Sequence, residues 1–332
     1  MKGIELTPEH PVDRVGELAA QAESAGFETV FASWHYNNRD PVAALARVAA
    51  ATDEVALGPG VANPYDVHPV KLAAQVATLA ETSDGRAVAG VGAGDASTLA
   101  NLGVDRERPL RRVLETVRVA RTLWRGERVD HDGTFRARDA GLNFDPPTPI
   151  PVYVGAQGPD MLRMAGKYAD GTLVNGAHPR DLKWASERVA EGLGERPENL
   201  DARDAEAFET VAFASVSVAE DAEAAREAAR RPVAFIAAGA APPVLRRHDL
   251  DVERAGEIGE AIAAGEFSRA DDLVTPAMVE AFAVAGDLDD VAARVDALLE
   301  HADGVVAAAP LGPDVESAIP LAGAALDRVA GR

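Results

Sequence analysis

Glu5 stands between two apolar residues in Ile4-Glu5-Leu6, a short strand pattern closed by Thr7-Pro8. A carboxyl carried into an apolar interior by such a strand loses water, so its pKa rises and it becomes suited to donate a proton near neutral pH. A structural salt bridge, or an outward-facing side chain, is the competing reading. Asp95, after Gly92-Ala93-Gly94, either handles protons or caps the helix that follows it. His35, at the head of His35-Tyr36-Asn37-Asn38, either hydrogen-bonds a ligand or closes a loop. Backbone chemistry is concentrated in two further stretches. Leu57-Gly58-Pro59-Gly60-Val61-Ala62-Asn63-Pro64-Tyr65-Asp66-Val67-His68-Pro69 is so crowded with glycine and proline that its backbone has few free choices, and it suggests a wall for a flat ligand. Gly155-Ala156-Gln157-Gly158 precedes a helix near Pro159, where free amides make an anion site fit for a phosphate. A tight loop that merely needs small residues fits that stretch equally well. Asn175-Gly176 ends another apolar run.

These residues need elements to hold them. Hydrophobic spacing predicts strands at Ile4–Leu6, Thr29–Ala32, Val55–Leu57, Arg86–Gly92, Pro151–Gly155, Gly171–Asn175, Val211–Val216 and Val305–Ala309. Helical patterns alternate with them, at Asp13–Gly26, Pro41–Ala51, Val70–Leu79, around Leu99 and Leu110–Leu123, Met161–Tyr168, Leu182–Leu193, Ala222–Arg231, Leu288–His301 and Val315–Val329. Glu127–Phe135 alternates like a hairpin or a loop. The rhythm breaks between the seventh and eighth strands, where Pro232–Ala285 is a long, mostly helical passage. Eight strand–helix units point to an α/β fold, a closed (β/α)8 TIM barrel, with a helical insertion at about 219–300 in a single domain spanning 1–332. An open doubly wound sheet is weaker, because Gly90-Val91-Gly92-Ala93-Gly94-Asp95 does not have the spacing of a dinucleotide fingerprint. In a barrel the chemistry sits at the C-terminal ends of the strands, and all the residues singled out above fall there.

Composition narrows the function classes. The net charge of −21 argues against nucleic acid as a partner, and no apolar run is long enough to cross a bilayer. No cysteine is present, which removes disulfides, thiolate metal sites and a cysteine nucleophile. The chain opens directly on a strand pattern, so the cytoplasm is the expected location. Lysine stands only at Lys2, Lys71, Lys167 and Lys183, against 33 basic residues in all. Abundant Asp, Glu and Ala with little Lys is the usage of proteins living in molar salt, where carboxylate repulsion is screened. An acidic protein from a GC-rich bacterium is the alternative.

Taken together, Gly3-Ile4-Glu5-Leu6-Thr7-Pro8, His35-Tyr36-Asn37-Asn38, Leu57 to Tyr65, Gly155 to Pro159, Val233 to Gly239 and Pro310-Leu311-Gly312-Pro313-Asp314 resemble the 5,10-methylenetetrahydromethanopterin reductases. These are coenzyme F420-dependent members of the bacterial-luciferase-like superfamily of (β/α)8 barrels, and the resemblance together with the acidic, lysine-poor composition suggests a member from a halophilic archaeon. It implies a hydride passed from the reduced deazaflavin (8-hydroxy-5-deazaflavin) to the methylene carbon of a pterin substrate, giving the methyl product. Ring opening to an iminium ion needs a proton first, and the resemblance makes Glu5 its donor with Asp95 as a supporting carboxylate. It also implies a cis peptide at Gly60-Val61 against the ring, with His35 and Asn63 at the ring or its edge, Gly155, Ala156, Gln157 and Gly158 at the phosphate end, and no metal. Asn175 joins the coenzyme-binding set from the end of its strand. Ala62 and Ala96 depart from the family's pattern, each removing a polar side chain.

Two other readings compete: an FMN-dependent monooxygenase or another F420-dependent oxidoreductase of the same barrel type, and a non-catalytic deazaflavin or pterin carrier. The substrate's carrier is either methanopterin or folate. The insertion is larger than a barrel needs, and is expected to bury Val233, Phe235, Ile236 and Phe282 against the barrel or a second subunit. A homo-oligomer, dimer or tetramer, is therefore expected.

Overall fold

The computed structural model describes residues 1–198, 200, 202 and 204–330. Its elements run β1 (Lys2–Glu5), α1 (Val12–Ser24), β2 (Thr29–Ala32), α2 (Pro41–Ala51), β3 (Ala56–Pro59), α3 (Pro69–Thr82), β4 (Ala89–Val91), α4 (Ala96–Asn101) and α5 (Pro109–Trp124). A hairpin of β5 (Val129–Asp132) and β6 (Arg136–Ala140) follows. Then come β7 (Val152–Ala156), α6 (Pro159–Tyr168), β8 (Gly171–Asn175), α7 (Pro179–Leu193) and β9 (Glu209–Val218). The insertion consists of α8 (Ala222–Gly239), α9 (Pro242–Arg247), α10 (Val252–Ala263), α11 (Phe267–Leu273), α12 (Pro276–Phe282) and β10 (Val284–Gly286). The chain closes with α13 (Leu288–Leu299), β11 (Gly304–Leu311) and α14 (Val315–Ala330).

Eight strands lie side by side in the order β3-β2-β1-β11-β9-β8-β7-β4, while β5 and β6 pair only with each other. Parallel register is fixed residue by residue: Glu5 opposite Phe31, Phe31 opposite Gly58, Val91 opposite Val154 and Ala156 opposite Val174. The two ends of the order meet through parallel bridges Leu57–Ala87 and Ala62–Val91, which bring the barrel to near closure. This is the (β/α)8 architecture with a mostly helical insertion before its last strand.

Contacts divide the chain into two compact units, one of Met1, Gly3–Val174 and Ala185–Val211, the other of Lys2, Asn175–Trp184 and Ala212–Arg332. In the first, Ile4, Leu18, Phe31, Leu45, Leu57, Leu79, Leu99, Leu123, Tyr153 and Leu162 are fully buried. Two arginines tie its helices to its strands. Arg86 donates to the carbonyls of Ala49, Thr52, Val55 and Ser83, joining the end of α2 to the start of β3. Arg121 meets Asp170 at 2.7 Å, and the same carboxylate accepts the Val152 amide at 2.7 Å. A buried ion pair of this kind keeps its place only because further hydrogen bonds satisfy the carboxylate.

The second unit carries its own core, in which Val233, Ala237, Ile258, Met278 and Phe282 are buried. Three expectations need correction here. The helix predicted to stop at Arg231 runs on through Pro232 to Gly239, because Val233, Ala234 and Ala237 bury their side chains. That burial outweighs the one hydrogen bond the proline removes. Phe235 is not buried but 48% exposed, 6.2 Å from the similarly exposed Phe267 between ring centres. Finally, Val284–Gly286 is a short strand parallel to β9, where a helical continuation was expected.

Candidate functional site

Glu5 is the last residue of β1, and only 3% of it is exposed. Thr7 Oγ1 donates to its Oε1 at 2.8 Å. A hydroxyl placed this way fixes the carboxyl's orientation without supplying a countercharge. The register puts Glu5, Phe31 and Gly58 on one face, and a Cβ on Gly60 would lie 2.8 Å from that of Phe31. Gly60 therefore faces the same way as Glu5, and no larger residue fits between it and the phenyl ring.

The Gly60–Val61 peptide is cis. Backbone bonds hold it on both sides: Gly60 N donates to Ala32 O at 2.8 Å, Ala62 N to Gly90 O at 2.9 Å and Gly92 N to Ala62 O at 2.9 Å. The Val61 side chain stands over β4 and β7. A Cβ on Gly92 would sit 2.4 Å from its Cγ2, one on Gly155 3.0 Å from the same atom, and one on Gly90 3.2 Å from its Cγ1. Gly92 and Gly155 thus make the room that one branched side chain fills, Gly90 is kept small first by Pro59 O, 2.0 Å from where its Cβ would lie, and Val61 remains partly exposed above them.

Asn63 is 3% exposed and is committed to its own loop. Its Oδ1 accepts the amides of Tyr65 (3.0 Å) and Asp66 (3.2 Å), while its Nδ2 donates to Asp66 Oδ2 at 3.2 Å. The same Asp66 oxygen accepts Trp34 Nε1 at 3.2 Å. Burial pushes the Asp66 carboxyl above its ordinary value, against the hydrogen bonds from Trp34 and Asn63 that hold it down. Arg112 braces this loop from outside: its Nε donates to Pro64 O at 2.7 Å, its Nη1 to Thr134 O at 2.6 Å, and its guanidinium lies 4.7 Å from the centre of the Tyr65 ring.

His35 lies in the exposed turn after β2 and accepts the Asn38 amide through its carbonyl at 3.1 Å. Asp95 is the N-cap of α4: its Oδ1 takes the Thr98 amide at 2.9 Å and the Thr98 hydroxyl at 3.1 Å. These two bonds fit the capping reading of Asp95. Gly155 and Ala156 end β7, Gln157 leads out of it, and Gly158 is the N-cap of α6 with no side-chain capping bond. A Cβ on Gly158 would meet nothing within 4 Å, so the start of this ten-residue helix is open to an approaching group.

Asn175 ends β8 and begins the second unit's share of strand-end residues. Gly176 N donates to Phe213 O at 3.3 Å. Beyond it, Asp181 accepts Arg247 Nη1 at 2.5 Å and is hydrogen-bonded to His248 Nε2 at 2.8 Å, while Arg247 lies 4.3 Å from the centre of the Trp184 ring. Burial, helped by the positive charge of Arg294, pushes His178 down to about 4, so it is neutral at ordinary pH.

The structure therefore brings Val61 together with Gly90, Gly92 and Gly155, and Asn63 together with Asp66 and Trp34. It turns Asp95 toward its own helix. Sequence reasoning missed Trp34, Asp66 and Arg112, where Trp34 reaches Asp66 and Arg112 reaches Pro64 from far along the chain, and Ser33, whose hydroxyl has no partner among the described residues; none of them carries a local motif. A wall of glycine backbone topped by Val61, a buried carboxyl at the end of β1, separated from β3 by β2, and an open helix start fit a flat heterocycle with an anionic tail.

The sequence profile of the family described as luciferase-like monooxygenase matches residues 2–305. A 5,10-methylenetetrahydromethanopterin reductase of Archaeoglobus fulgidus is 40% identical over 97% of each chain, and that of Methanolobus tindarius is 38% identical over 97% of this chain and 98% of its own. Among solved structures, the coenzyme F420-dependent tetrahydromethanopterin reductase of Methanopyrus kandleri superposes with a TM-score of 0.91 at 35% identity, covering 98% of both chains. The agreement extends over the barrel and the insertion alike, and on it the chain belongs to the luciferase-like family and, within it, to the 5,10-methylenetetrahydromethanopterin reductases.

Proposed function

We propose that this chain is a coenzyme F420-dependent oxidoreductase that reduces the methylene group of 5,10-methylenetetrahydromethanopterin, or of its tetrahydrofolate equivalent, to a methyl group. The observation that carries this is identity of 40% with a reductase of that name along nearly the whole of both chains. When bound, the reduced coenzyme supplies the hydride. Glu5, held by Thr7 and nearly sealed from water, supplies the proton to a ring nitrogen of the substrate from its carboxyl oxygens. Val61, above Gly92 and Gly155, gives the flat ring a surface to rest on. Gly155 to Gly158 leave the start of α6 free for the phosphate, while His35, Asn63 and Asn175 complete the coenzyme-binding set. Asp95 supports the site through the cap it gives α4 rather than as a second acid.

An FMN-dependent monooxygenase is less favoured, because the relatives of highest identity given above are reductases. The finer parts of the reading are a cytoplasmic enzyme of high-salt surroundings acting as a homo-oligomer. The acidic, lysine-poor composition supports the high-salt surroundings, and the exposed Phe235 and Phe267 support the homo-oligomer. No helix among the described residues is long and apolar enough to cross a membrane.

The test is a continuous assay in molar salt with reduced F420 and, in separate runs, methylene-tetrahydromethanopterin and methylene-tetrahydrofolate. Methyl product from either, coupled to F420 oxidation, is expected. Oxygen-dependent turnover with tightly bound flavin and none with F420 would overturn the reading.

A further inference from the structure

Among the described residues four serines are buried, and three have hydroxyls that donate to backbone carbonyls: Ser83 to Leu79 O at 2.6 Å, Ser215 to Ala309 O at 2.9 Å and Ser217 to Ala225 O at 2.6 Å. Ser33 is the exception. Its Oγ is buried and has no hydrogen-bond partner among the described residues. Burying a hydroxyl without a partner is unfavourable, and native proteins tolerate it where something outside the chain completes the bond.

The position of Ser33 indicates what that something is. Ser33 directly follows β2, two residues beyond Phe31, so the alternation of the strand puts it on the face shared by Glu5, Phe31 and Gly58. Its neighbour Ala32 still pairs with β3, accepting the Gly60 amide at 2.8 Å, so the backbone around Ser33 is held on the Gly60–Val61 side. The hydroxyl therefore stands at the C-terminal end of the strand that lies between the proton donor and the glycine wall, where a barrel presents its ligand. A hydroxyl offers one donor and two acceptor lone pairs and can rotate to suit either kind of partner. That matches the lactam edge, C=O beside N–H, which both a deazaflavin and a pterin carry.

We propose that Ser33 is a ligand-contacting residue whose hydroxyl completes a hydrogen bond with the lactam edge of a heterocycle bound at the ends of β1, β2 and β3. The inference rests on the reductase reading above, since that reading names the two heterocycles.

The test is Ser33→Ala, with Ser33→Gly as a second variant that also lacks the hydroxyl and adds no bulk. Three quantities are read against the wild type: the Kd of oxidised F420 by fluorescence titration, the KM of the methylene-pterin, and the Tm of the ligand-free protein. One ligand should bind about 3- to 10-fold more weakly, the loss expected for one hydrogen bond. A change in the F420 Kd assigns the contact to the coenzyme, and a change in the pterin KM alone assigns it to the substrate. The ligand-free Tm should stay level or rise, because no bond within the protein is lost. Affinities for both ligands within twofold of wild type would overturn the proposal, as would a fall of several degrees in Tm with binding unchanged. If the wild type binds neither heterocycle, the reductase reading itself fails, and that is seen before any variant is made.

Discussion

Val61 and Gly92 compete for one volume: a Cβ on Gly92 would lie 2.4 Å from Val61 Cγ2, closer than any real pair of carbons without a bond. The glycines at the ends of β4 and β7 are therefore not independent features. Each is small because the same valine leans over it. Side-chain packing makes this demand, and Gly92 meets it at an ordinary backbone angle.

Gly92→Ala should push Val61 and the loop behind it outward. We expect F420 affinity to fall about tenfold or more, with a stability loss of about 1–3 kcal/mol typical of overpacking. Titration and thermal unfolding measure both. Gly158→Ala makes the contrast, since its Cβ enters open space; there the Tm should hold while binding of the anionic end weakens.

Glu5→Gln keeps the shape of the side chain and its bond with Thr7 but removes the proton. The turnover number should drop about 100-fold or more, as for loss of a general acid, while the Kd of F420 stays within about threefold. Undiminished methyl-pterin formation would remove Glu5 from the role.

Asp95→Asn should behave mildly, because asparagine caps a helix as well as aspartate does. A turnover within about threefold of wild type is the expected result. Asp95→Ala, which breaks the bonds to Thr98, should cost about 0.5–2 kcal/mol of stability. A 100-fold loss of turnover in the Asn variant alone would instead make Asp95 a proton carrier.

Glu115 offers a pH test away from the chemistry. Burial raises its carboxyl, but bonds from the Thr134 hydroxyl and amide, Arg111 and His131 outweigh this and bring it down to about 2. Its folded value lies below its unfolded one, so its contribution is complete above about pH 4.5 and is lost as the pH falls toward 2. Allowing for solvent screening, about 1–2 kcal/mol is at stake. Plotting Tm against pH for wild type and Glu115→Gln should show two curves that are apart at pH 6 and converge below pH 3. Parallel curves would count against the assignment.

Much of the barrel could be read in advance because its punctuation is local. Thr29–Ala32, Pro41–Ala51 and Gly171–Asn175 lie where spacing puts them. Helical spacing put the starts at Val70, Leu110 and Leu182, one to three residues beyond Pro69, Pro109 and Pro179, where the helices begin. Those prolines sit in the first turn, where a missing amide costs nothing. Pro232 deceived in the opposite sense, since only tertiary burial decides whether a helix crosses a proline. At the site, the glycine turns announced themselves by residue type. Ser33, Asp66 and Arg112 did not: Trp34 reaches Asp66 across 32 residues and Arg112 reaches Pro64 across 48, distances at which no pattern in the chain signals a partner.

The antiparallel pair β5–β6 looks like an ornament on the barrel, outside its eight strands. Yet Arg112 grips Thr134 in the turn of that pair with one nitrogen and Pro64 with another, and His68, just before α3, is hydrogen-bonded to Arg136 O at 2.9 Å. An engineer trimming this enzyme to a minimal scaffold would therefore find residues 129–140 the wrong place to cut. Their removal would leave the barrel strands intact in sequence while taking away the carbonyls that anchor Arg112 and His68, the two side chains that brace the segment carrying Asn63 and Asp66.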